Sequence, residues 1–579
     1  MKRIFSALCI VALALPTLAG CSQSASVQLI SGSTINIAQI GSLASINTDV
    51  ADTAQSADAS ELANLTVAKF YELNSNGTMV ANTKLGTVTV VKKSPLTVRY
   101  TLSTGAKWSD GTAIDAADLA LSFAAGSSLG GADFGSVRKG SGVSFASLAS
   151  PVEVGGRSIT LKFSRAVADY ENALTLAVPA NVVASRVDPS LTAATDQKKL
   201  VVDAVNSKNA GKLASLAEFY QSTFDVKLHV DATTNNHMFD SSGAYRVEKI
   251  NSLTDLTLVA NDNYQLGNQT RIERIHLVYF ADATLAVAAM AKGEIDLATA
   301  EDSGLASLSD IKSLASAVKK PKIYQALGAG IYAEQVVFNF GGTSVFSNQA
   351  ANGKQLRLAF LHAVPKQRII AAINALYSVT ASDSFIFSND AAAYENSVAK
   401  NGSSDFAFQD VQKAAELTAG NRLPIQVRVL FDSTNPRASA EWTLLQERAS
   451  HAGFELLNVS SANPAETLAS GEYDVYLGAR ELTSAPGADV YALTSGSAFN
   501  FTDSSVSKLL EKLAASTSTH AATKLLERVD QELFAANYGL PLYEVPSMLL
   551  YTARVKGFVP APFASSDTWG YYNWSVATK

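Results

Sequence analysis

Residues 105–123 read Gly-Ala-Lys-Trp-Ser-Asp-Gly-Thr-Ala-Ile-Asp-Ala-Ala-Asp-Leu-Ala-Leu-Ser-Phe. Trp108 supplies a large side chain for burial, and Asp110-Gly111 is typical of a turn. Asp115 is placed to cap a helix over Ala116–Phe123, in which apolar residues recur on one face. Taken alone, these features predict packing and turn chemistry rather than a ligand site.

The same segment resembles the signature of the family 5 extracellular solute-binding proteins, the oligopeptide-, dipeptide- and nickel-binding components of ABC importers. Further segments resemble this family's elements in the same order along the chain. They are Phe70–Leu73 with Asn76-Gly77, Ser241–Val247, Asn261–Tyr264, Ala288–Asp296, Leu356–Ile370, Leu540–Tyr543 and Val555–Phe558. The resemblance covers roughly residues 65–560 and departs from the family pattern at Pro365, where an Asp is usual.

This resemblance implies an α/β fold with two lobes, of the type II periplasmic-binding-protein kind, large cluster, with an extra subdomain. The ligand cleft would lie between the lobes. Lobe 1 with its inserted subdomain would take residues 27–331, lobe 2 residues 332–539, and residues 540–579 would return to lobe 1. Two segments would cross between the lobes, and Val336–Phe340 is apolar enough to be a buried crossing strand.

Hydrophobic periodicity predicts alternating strands and helices, as suits α/β lobes. The predicted strands are Val88–Val91, Leu96–Tyr100, Ser158–Phe163, Asp255–Val259 and Ile275–Phe280, the first two paired through the turn Lys92–Pro95. The predicted helices are Ala283–Lys292, Gln355–Ala375, Pro436–Gly453 and Val506–Asn537, the last as one helix or two, with Asp503 or Ser504 as its cap.

The first residues predict export and lipid anchoring. Lys2 and Arg3 precede a short apolar run, and the run leads to Leu18-Ala19-Gly20-Cys21. A basic start, an apolar core and small residues at the end are typical of a secretory signal, here residues 1–20. The last four residues resemble a bacterial lipobox, which implies lipidation of Cys21, a tether over residues 21–26 and attachment to the outer face of the cytoplasmic membrane. An ordinary cysteine after a plain signal is the alternative.

Composition excludes several classes of protein. The 579 residues are 47% hydrophobic and 17% charged, so a globular protein with more than one lobe is expected. Loss of Lys2 and Arg3 with the signal takes the net charge from −6 to −8, and no basic cluster favours nucleic acid. Cys9 leaves with the signal, so Cys21 has no disulfide partner. We expect a monomer without a cysteine nucleophile.

No pattern predicts an enzyme, a cofactor or a metal. The six histidines are scattered, and none forms a His-x-x-x-His pair or a cluster with carboxylates. No Gly-x-Ser-x-Gly segment and no Gly-rich phosphate loop followed by Lys and Ser or Thr occurs. The sequence therefore favours a binding protein.

The resemblance also implies where a peptide would be held. In peptide-binding members, main-chain groups hold the ligand backbone, and an acidic side chain after a strand and a Gly-Trp pair binds its amine. Here Tyr476 lies in the corresponding strand, and Gly478 is followed by Ala rather than Trp. Glu481 is the nearest acidic candidate, with an exposed loop position as the alternative, and Asp489 lies further on. Arg480 could pair with a ligand carboxylate or lie at the surface.

Other candidates for the cleft wall follow from lobe position. Ser42 and Asn47 fall in a segment that borders the cleft in the family, and Asn339 falls at the first crossing. Trp442 falls in a predicted helix, where core packing is the alternative role. The resemblance implies capture of a peptide, or a similar small polar solute, for delivery to an ABC permease. The alternative is an envelope lipoprotein that keeps the fold and works through protein contacts.

Overall fold

The computed structural model describes residues 28–50, 59–75, 79–139, 148–164, 170–230, 237–300, 308–377, 379–386, 391–482, 499–516, 518–561 and 566–577. The signal segment, Cys21 and Asp489 lie outside these residues.

Nineteen strands occur in the described ranges. They are β1 Ile30–Ile40, β2 Tyr71–Leu73, β3 Met79–Ala81, β4 Gly86–Lys93, β5 Leu96–Leu102, β6 Leu148–Gly155, β7 Ser158–Phe163, β8 Tyr245–Ser252, β9 Asp255–Ala260, β10 Ile272–Phe280, β11 Leu297–Ala300, β12 Ile323–Phe338, β13 Thr380–Ala381, β14 Ile425–Leu430, β15 Phe454–Asn458, β16 Val475–Glu481, β17 Gly539–Thr552, β18 Val555–Lys556 and β19 Ser575–Val576.

The α-helices of the same ranges alternate with these strands. They are α1 Ser60–Thr66, α2 Ala116–Ser127, α3 Ala180–Val187, α4 Ala194–Ser207, α5 Ala210–Ser222, α6 Ala283–Lys292, α7 Leu308–Ala317, α8 Gly353–Ala363, α9 Lys366–Tyr377, α10 Ala391–Val398, α11 Val411–Thr418, α12 Pro436–Ala449, α13 Pro464–Ser470, α14 Ser504–Ala514 and α15 Thr519–Ala535.

The signature segment folds as its residues predict. Trp108 is fully buried, and Gly111 has a φ of +89° in the turn that follows, a conformation that favours glycine. The Asp115 side chain accepts a hydrogen bond from the Ala117 amide at the start of α2, and Asp118 accepts one from the Asp115 amide. This reciprocal capping satisfies two amides at the end of the helix.

One large sheet passes through both halves of the molecule. Its strand order is β15-β14-β16-β12-β17-β11-β1-β10-β9-β8, with β13 paired to β17. We use lobe 1 for the side from β11 to β8 and lobe 2 for the side from β16 to β15; β12 and β17 join them. The buried apolar side chains form two clusters, one mainly in lobe 1 and one mainly in lobe 2 with α6 and α7.

The two joining strands are long and antiparallel. They pair from Ile323 opposite Thr552 to Val337 opposite Gly539. Val336, Val337 and Phe338 are fully buried in β12, where they pair with β16 of lobe 2, and their role as a crossing between the lobes stays a prediction. A separate four-stranded sheet, β4-β5-β7-β6, packs with α2 in lobe 1. The lobe bounds given from the sequence stay a prediction.

Most predicted elements are present, and one helix prediction is wrong. Strands β4, β5, β7, β9 and β10 and helices α6 and α12 occupy the predicted positions. The helix predicted over Gln355–Ala375 is two helices, α8 and α9, that meet at Val364-Pro365. Proline lacks an amide hydrogen and restricts the residue before it, so it ends the first helix.

The segment after residue 503 is also divided into two helices. Val506–Asn537 forms two helices, α14 and α15, and Asp503 caps the first of them by accepting from the Ser505 and Val506 amides. Among the described helices, none combines the length and apolar character that crossing a bilayer requires.

Candidate ligand-binding cleft

Strand direction brings the ends of the lobe 1 strands towards lobe 2. Strand β1 runs parallel to β10 and to β11. Strand β11 ends at Ala300, which lies opposite Met548 of β17, and Met548 in turn lies opposite Leu327 of β12. The carboxyl ends of the parallel strands of lobe 1 therefore face the point where β12 and β17 leave for lobe 2.

The lobe 2 strands meet the same point from the other side. Strand β14 runs parallel to β15 and to β16. Strand β16 ends at Glu481, which lies opposite Tyr332 of β12. Between Leu327 and Tyr332 the pairing of β12 with β17 shifts its register. The carboxyl ends of both sets of strands thus converge on one short part of the joining strands.

This convergence defines the candidate cleft. In open α/β sheets, ligands bind in the crevice outside the carboxyl ends of the strands, where main-chain groups and helix starts are free to meet them. The cleft wall on lobe 2 is made by β12, β16, β17 and the first turn of α12. On lobe 1 it is made by the end of β1 and the start of α6.

A buried charge cluster lies in the lobe 2 wall. Arg437, in the first turn of α12, contacts the carboxylates of Glu334 on β12 and Glu441, the latter at 3.3 Å. It also donates to the hydroxyl of Tyr543 at 3.0 Å, and that hydroxyl donates to Glu441. The exposed fraction of these charged side chains is 3% or less. One guanidinium thus contacts two carboxylates in this part of the wall.

Tyr476 lies beside this cluster. Burial raises the pKa of its hydroxyl, with the negative charge of Glu334 as a further cause, so it remains protonated. Its ring lies against Gly478, where an added Cβ would approach the ring to 2.4 Å. Gly478 therefore provides the space that the Tyr476 ring occupies.

A row of four residues, two of them charged, runs across β16, β12, β17 and β13. Arg480 on β16 lies opposite Ala333 on β12. Ala333 lies opposite Glu544 on β17, which in turn lies opposite Thr380 on β13. Residues directly opposite in an antiparallel sheet share one face, so Arg480 and Glu544 flank the small side chain of Ala333. We call these four residues the charged row.

The charged row is partly accessible. Arg480 and Glu544 are both half-buried, and Arg480 donates to the carbonyl of Phe385. Burial raises the pKa of Glu544 from 4.5 to about 7, although the positive charge of Arg480 opposes this rise. Glu544 is therefore a carboxyl group that changes charge close to neutral pH.

Three predicted ligand contacts lie at this wall. Tyr476 and Arg480 are on β16, and Glu481 is the last residue of that strand. Ser42 lies on the opposite side, exposed and two residues beyond the end of β1. Contact of these residues with a ligand stays a prediction.

The other predicted contacts are occupied within the protein. The Asn47 amide group donates to the Tyr220 carbonyl at 2.9 Å, and its oxygen accepts from the Asp49 amide at 3.1 Å. The Asn339 amide donates to the Tyr473 carbonyl at 2.8 Å and accepts from the Gly341 amide at 2.8 Å. These bonds position the loops that carry the two side chains, and ligand contact by either stays a prediction.

Trp442 packs inside lobe 2. Its ring stacks on Phe431 with the centroids 5.4 Å apart, and only 8% of its surface is exposed. Packing of this kind is the alternative that the sequence left open for Trp442.

Sequence reasoning missed the acidic residues of the joining strands. Glu544 stands within a run of otherwise apolar or small residues, Leu540–Leu550, and Glu334 stands within Tyr332–Phe338, where Gln335 is the one other polar side chain apart from the tyrosine. A charge inside a continuous apolar strand is costly unless it is paired or functional, and this signal could have found both. Their partners could not be read from the sequence, because Arg437 is 103 residues from Glu334.

The described part of the chain contains no group of three or more His, Cys, Asp or Glu side chains suited to a metal ion.

The comparisons with known proteins agree with this architecture. Residues 85–501 match the model of the family described as bacterial extracellular solute-binding proteins, family 5 Middle. An uncharacterized lipoprotein of Mycobacterium tuberculosis is 25% identical over 582 residues, with 97% of this chain and 95% of the relative covered.

Two solved structures share the two-lobed fold. The periplasmic EDTA-binding protein EppA superposes with a TM-score of 0.74 at 17% identity, over 95% of this chain and 98% of its own. The oligopeptide-binding protein AppA of Bacillus subtilis, in complex with a nonapeptide, has a TM-score of 0.61 at 12% identity, over 94% and 99%. The two-lobed α/β fold expected from the sequence is confirmed, and the chain belongs to the family 5 bacterial extracellular solute-binding proteins.

Proposed function

We propose that this protein is the lipid-anchored solute-binding component of an ABC importer, and that it captures a peptide or a similar small polar solute between its lobes. The observation that carries the proposal is the convergence of the parallel strands of both lobes on one short part of β12 and β17. A ligand placed there contacts both lobes at once.

Contact with both lobes explains how capture would work. A ligand shifts a conformational equilibrium only by its difference in affinity for the two states. A solute that contacts the ends of β1 and β16 together binds the closed state more tightly than the open one. The two joining strands have few residues between the lobes, and such short segments absorb the change in backbone angles that hinge closure requires.

The polar groups of the wall suit a ligand that carries charge. Arg480 and Glu544 offer one positive and one negative group on the same face of the sheet. Tyr476 adds an aromatic surface and a hydroxyl that stays protonated. A zwitterionic solute such as a peptide has groups that match both charges, and charge-assisted hydrogen bonds are the strong ones.

Attachment to the membrane is part of the proposal. Cys21 follows Leu18 and the small residues Ala19 and Gly20, and the mycobacterial relative is described as a lipoprotein. A lipid on Cys21 and the tether after it would keep the two lobes at the outer face of the membrane, close to the permease.

A ligand screen on the mature protein tests the proposal. Residues 27–579 are mixed with pools of di- to pentapeptides, and the thermal unfolding midpoint is measured. Because a ligand that binds only the native state stabilises it, a pool present at about 100 times its Kd raises the free energy of unfolding by about 2.7 kcal/mol.

Two further measurements complete this test. Native mass spectrometry of the purified protein detects a ligand that is retained from the cell. Small-angle scattering measures the radius of gyration, which falls if the lobes close. No shift with any pool, no retained ligand and an unchanged radius would contradict solute capture, and would favour the protein-contact role instead.

A further inference from the structure

We infer that Glu544 is the anchor for an alkylammonium group of the ligand, held on the lobe 2 wall beside Arg480 and Tyr394. The inference rests on the proposed function and specifies the chemistry that the cleft selects. The shared chemistry is a protonated amine, which a peptide supplies either at its amino terminus or on a basic side chain.

The position of Glu544 is the first support. It stands on β17 next to Val545, and Val545 lies opposite Tyr332, the residue that also faces the end of β16. Glu544 is therefore one residue from the place where the strands of the two lobes converge. Ala333 separates it from Arg480. Since neighbouring strands lie about 5 Å apart, the backbones of Glu544 and Arg480 are about 10 Å apart, with only a methyl group between them.

The second support is that Glu544 has no partner of its own among the described residues. Its carboxylate takes part in no hydrogen bond and no ion pair there, although it is half-buried. Asp530, a fully buried acid of lobe 2, accepts hydrogen bonds from the hydroxyls of Ser384 and Ser397, the Asn401 amide group and the Phe385 amide. Glu544 differs from this acid in that its oxygens remain available.

A neighbouring hydroxyl points to the same use. Tyr394 on α10 accepts a hydrogen bond from the Asp383 amide at 3.0 Å, and within the described residues its own hydrogen has no acceptor. Asp383 follows β13 by two residues, and β13 pairs with β17 at Glu544, so Tyr394 lies beside this part of the sheet. In agreement with this, the negative charge of Glu544 contributes, after burial and Asp383, to the raised pKa of Tyr394. Glu544 therefore has the guanidinium of Arg480 on one side, across Ala333, and the Tyr394 hydroxyl on the side of β13.

The electrostatic surroundings of Glu544 favour the binding of a cation. Partial burial disfavours the charged form of Glu544, so the pKa of this carboxyl is raised to about 7. An ammonium group in contact with it restores the charged form and forms a charge-assisted hydrogen bond. Arg480 on β16 acts on Glu544 directly, and Tyr394 on α10 feels Glu544 together with Asp383 after β13 and Asp530 on α15. Asp383 is itself paired with Lys366 of α9. The facing residues of β12 and β13 are Ala333 and Thr380.

Three peptide pools separate the sources of the amine. The first holds alanine- and serine-based tri- to pentapeptides with a free amino terminus. The second holds the same peptides after N-acetylation, and the third holds acetylated peptides that contain one lysine. Thermal shift and calorimetry give the affinity of each pool for the wild-type protein, for Glu544→Gln and for the control Glu511→Gln, which changes an exposed residue of α14.

The inference predicts a loss that depends on the amine. The wild-type protein and Glu511→Gln bind an amine-bearing pool at least tenfold more tightly than the acetylated pool. Glu544→Gln loses that preference, while its affinity for the acetylated pool stays within about twofold. If the lysine pool alone binds tightly, the amine is that of a side chain; if the free-terminus pool does, it is the backbone amine.

The pH dependence gives a second readout on the same variants. The wild-type affinity for the amine-bearing pool falls by about tenfold or more from pH 8 to pH 5.5, because a carboxyl with a pKa near 7 must first lose its proton. The pH dependence disappears in Glu544→Gln. The midpoint of thermal unfolding without ligand shows whether this variant is folded, and Glu544→Asp, which keeps the charge, is expected to retain the preference for the amine.

Two outcomes would overturn the inference, and they are distinguishable. If the acetylated and free pools bind the wild-type protein equally, or Glu544→Gln keeps the preference, Glu544 is not the anchor although solute capture stands. If no pool binds and no ligand is retained, the proposed function fails and the inference fails with it.

Discussion

Two carboxyl groups of this protein, those of Asp118 and Glu544, have different surroundings. Asp118 is buried with Lys198, whose ammonium lies 2.8 Å from it, and the pair holds the first turn of α2. Glu544 is half-buried and has no ion pair among the described residues. The first arrangement serves stability, because both charges are satisfied. The second leaves a carboxyl group that, in our proposal, pairs with the ammonium group of a ligand.

Replacement of Lys198 by Met tests the first arrangement. It leaves Asp118 buried without its counter-charge, and breaking a buried pair from one side costs about 3–5 kcal/mol. Urea denaturation at pH 7 measures the loss. The neighbour Lys199 is a matched control, because its ion pair with Asp203 is exposed and its loss costs less than about 1 kcal/mol. Equal losses in the two variants would argue against a structural role for the buried pair.

The titration of Glu544 predicts a pH effect on stability without ligand. Its folded pKa is about 7 and its ordinary value is 4.5, so between these values the folded protein keeps a proton that the unfolded chain has lost. The free energy of unfolding contributed by this group therefore falls as pH rises from 4.5 to 7.

The variant Glu544→Gln removes that contribution. Its free energy of unfolding is expected to fall less steeply between pH 5 and pH 8 than that of the wild-type protein, while Glu511→Gln follows the wild type. Urea melts at half-unit steps of pH measure the slopes. Identical slopes in wild type and Glu544→Gln would mean that burial does not raise the pKa of this carboxyl.

At the scale of elements, the joining strands approach each other closely because of glycine. An added Cβ on Gly330 would lie 1.8 Å from the Val545 carbonyl oxygen, and one on Gly539 would lie 2.1 Å from the Val336 carbonyl oxygen. Both contacts are with backbone, which has little freedom to move aside. Gly330 allows β12 and β17 to approach in the region that connects the lobes, and Gly539 allows it at the lobe 2 end of their pairing.

The variant Gly330→Ala tests this close approach. We expect it to lower the free energy of unfolding by about 1–3 kcal/mol, the range for forced overpacking, and to weaken ligand binding because it separates β12 from β17. Gly420→Ala is the control, since an added Cβ there meets no atom within 4 Å. Thermal unfolding and calorimetry measure both. A Gly330→Ala variant as stable as the wild type would show that the strands adjust without cost.

At the scale of the whole molecule, two apolar cores are joined by one continuous sheet. The buried side chains form two clusters, and the second lies mainly in lobe 2 but extends into lobe 1 at Ala38 of β1, Ala298 of β11 and Met290 of α6, while β12 and β17 run through both halves. In our proposal, the lobes move relative to each other at these two strands.

Distances between spin labels test this movement. The mature chain has no cysteine other than Cys21, so residues 27–579 provide a cysteine-free background. Labels at exposed Lys162 of β7 and Lys508 of α14 span the lobes, and labels at Lys162 and Lys199 lie within lobe 1. We expect the first distance to shorten with a binding peptide pool and the second to stay constant. A constant first distance at saturation would contradict closure.

Local patterns in the sequence determined much of the architecture. Several features depend on residues that are close together in the chain, so they could be predicted directly. They are the turn at Gly111, the cap at Asp115 and the burial of Trp108. Several strands and helices follow their hydrophobic period for the same reason. The ordered motifs indicated the family, and the basic start with Cys21 indicated export. The prediction of one helix across Pro365 was wrong because it followed the apolar pattern and did not allow for the proline, which ends a helix.

The tertiary structure alone decided which distant residues meet. Arg437 contacts Glu334 across 103 residues of sequence, and Arg480 and Glu544 share a row only because β16 and β17 both pair with β12 in one particular register. A shift of one residue in either pairing would turn one of these side chains to the other face of the sheet. The hydrophobic pattern of a strand does not specify its partner, so the charged row became visible only in the folded sheet.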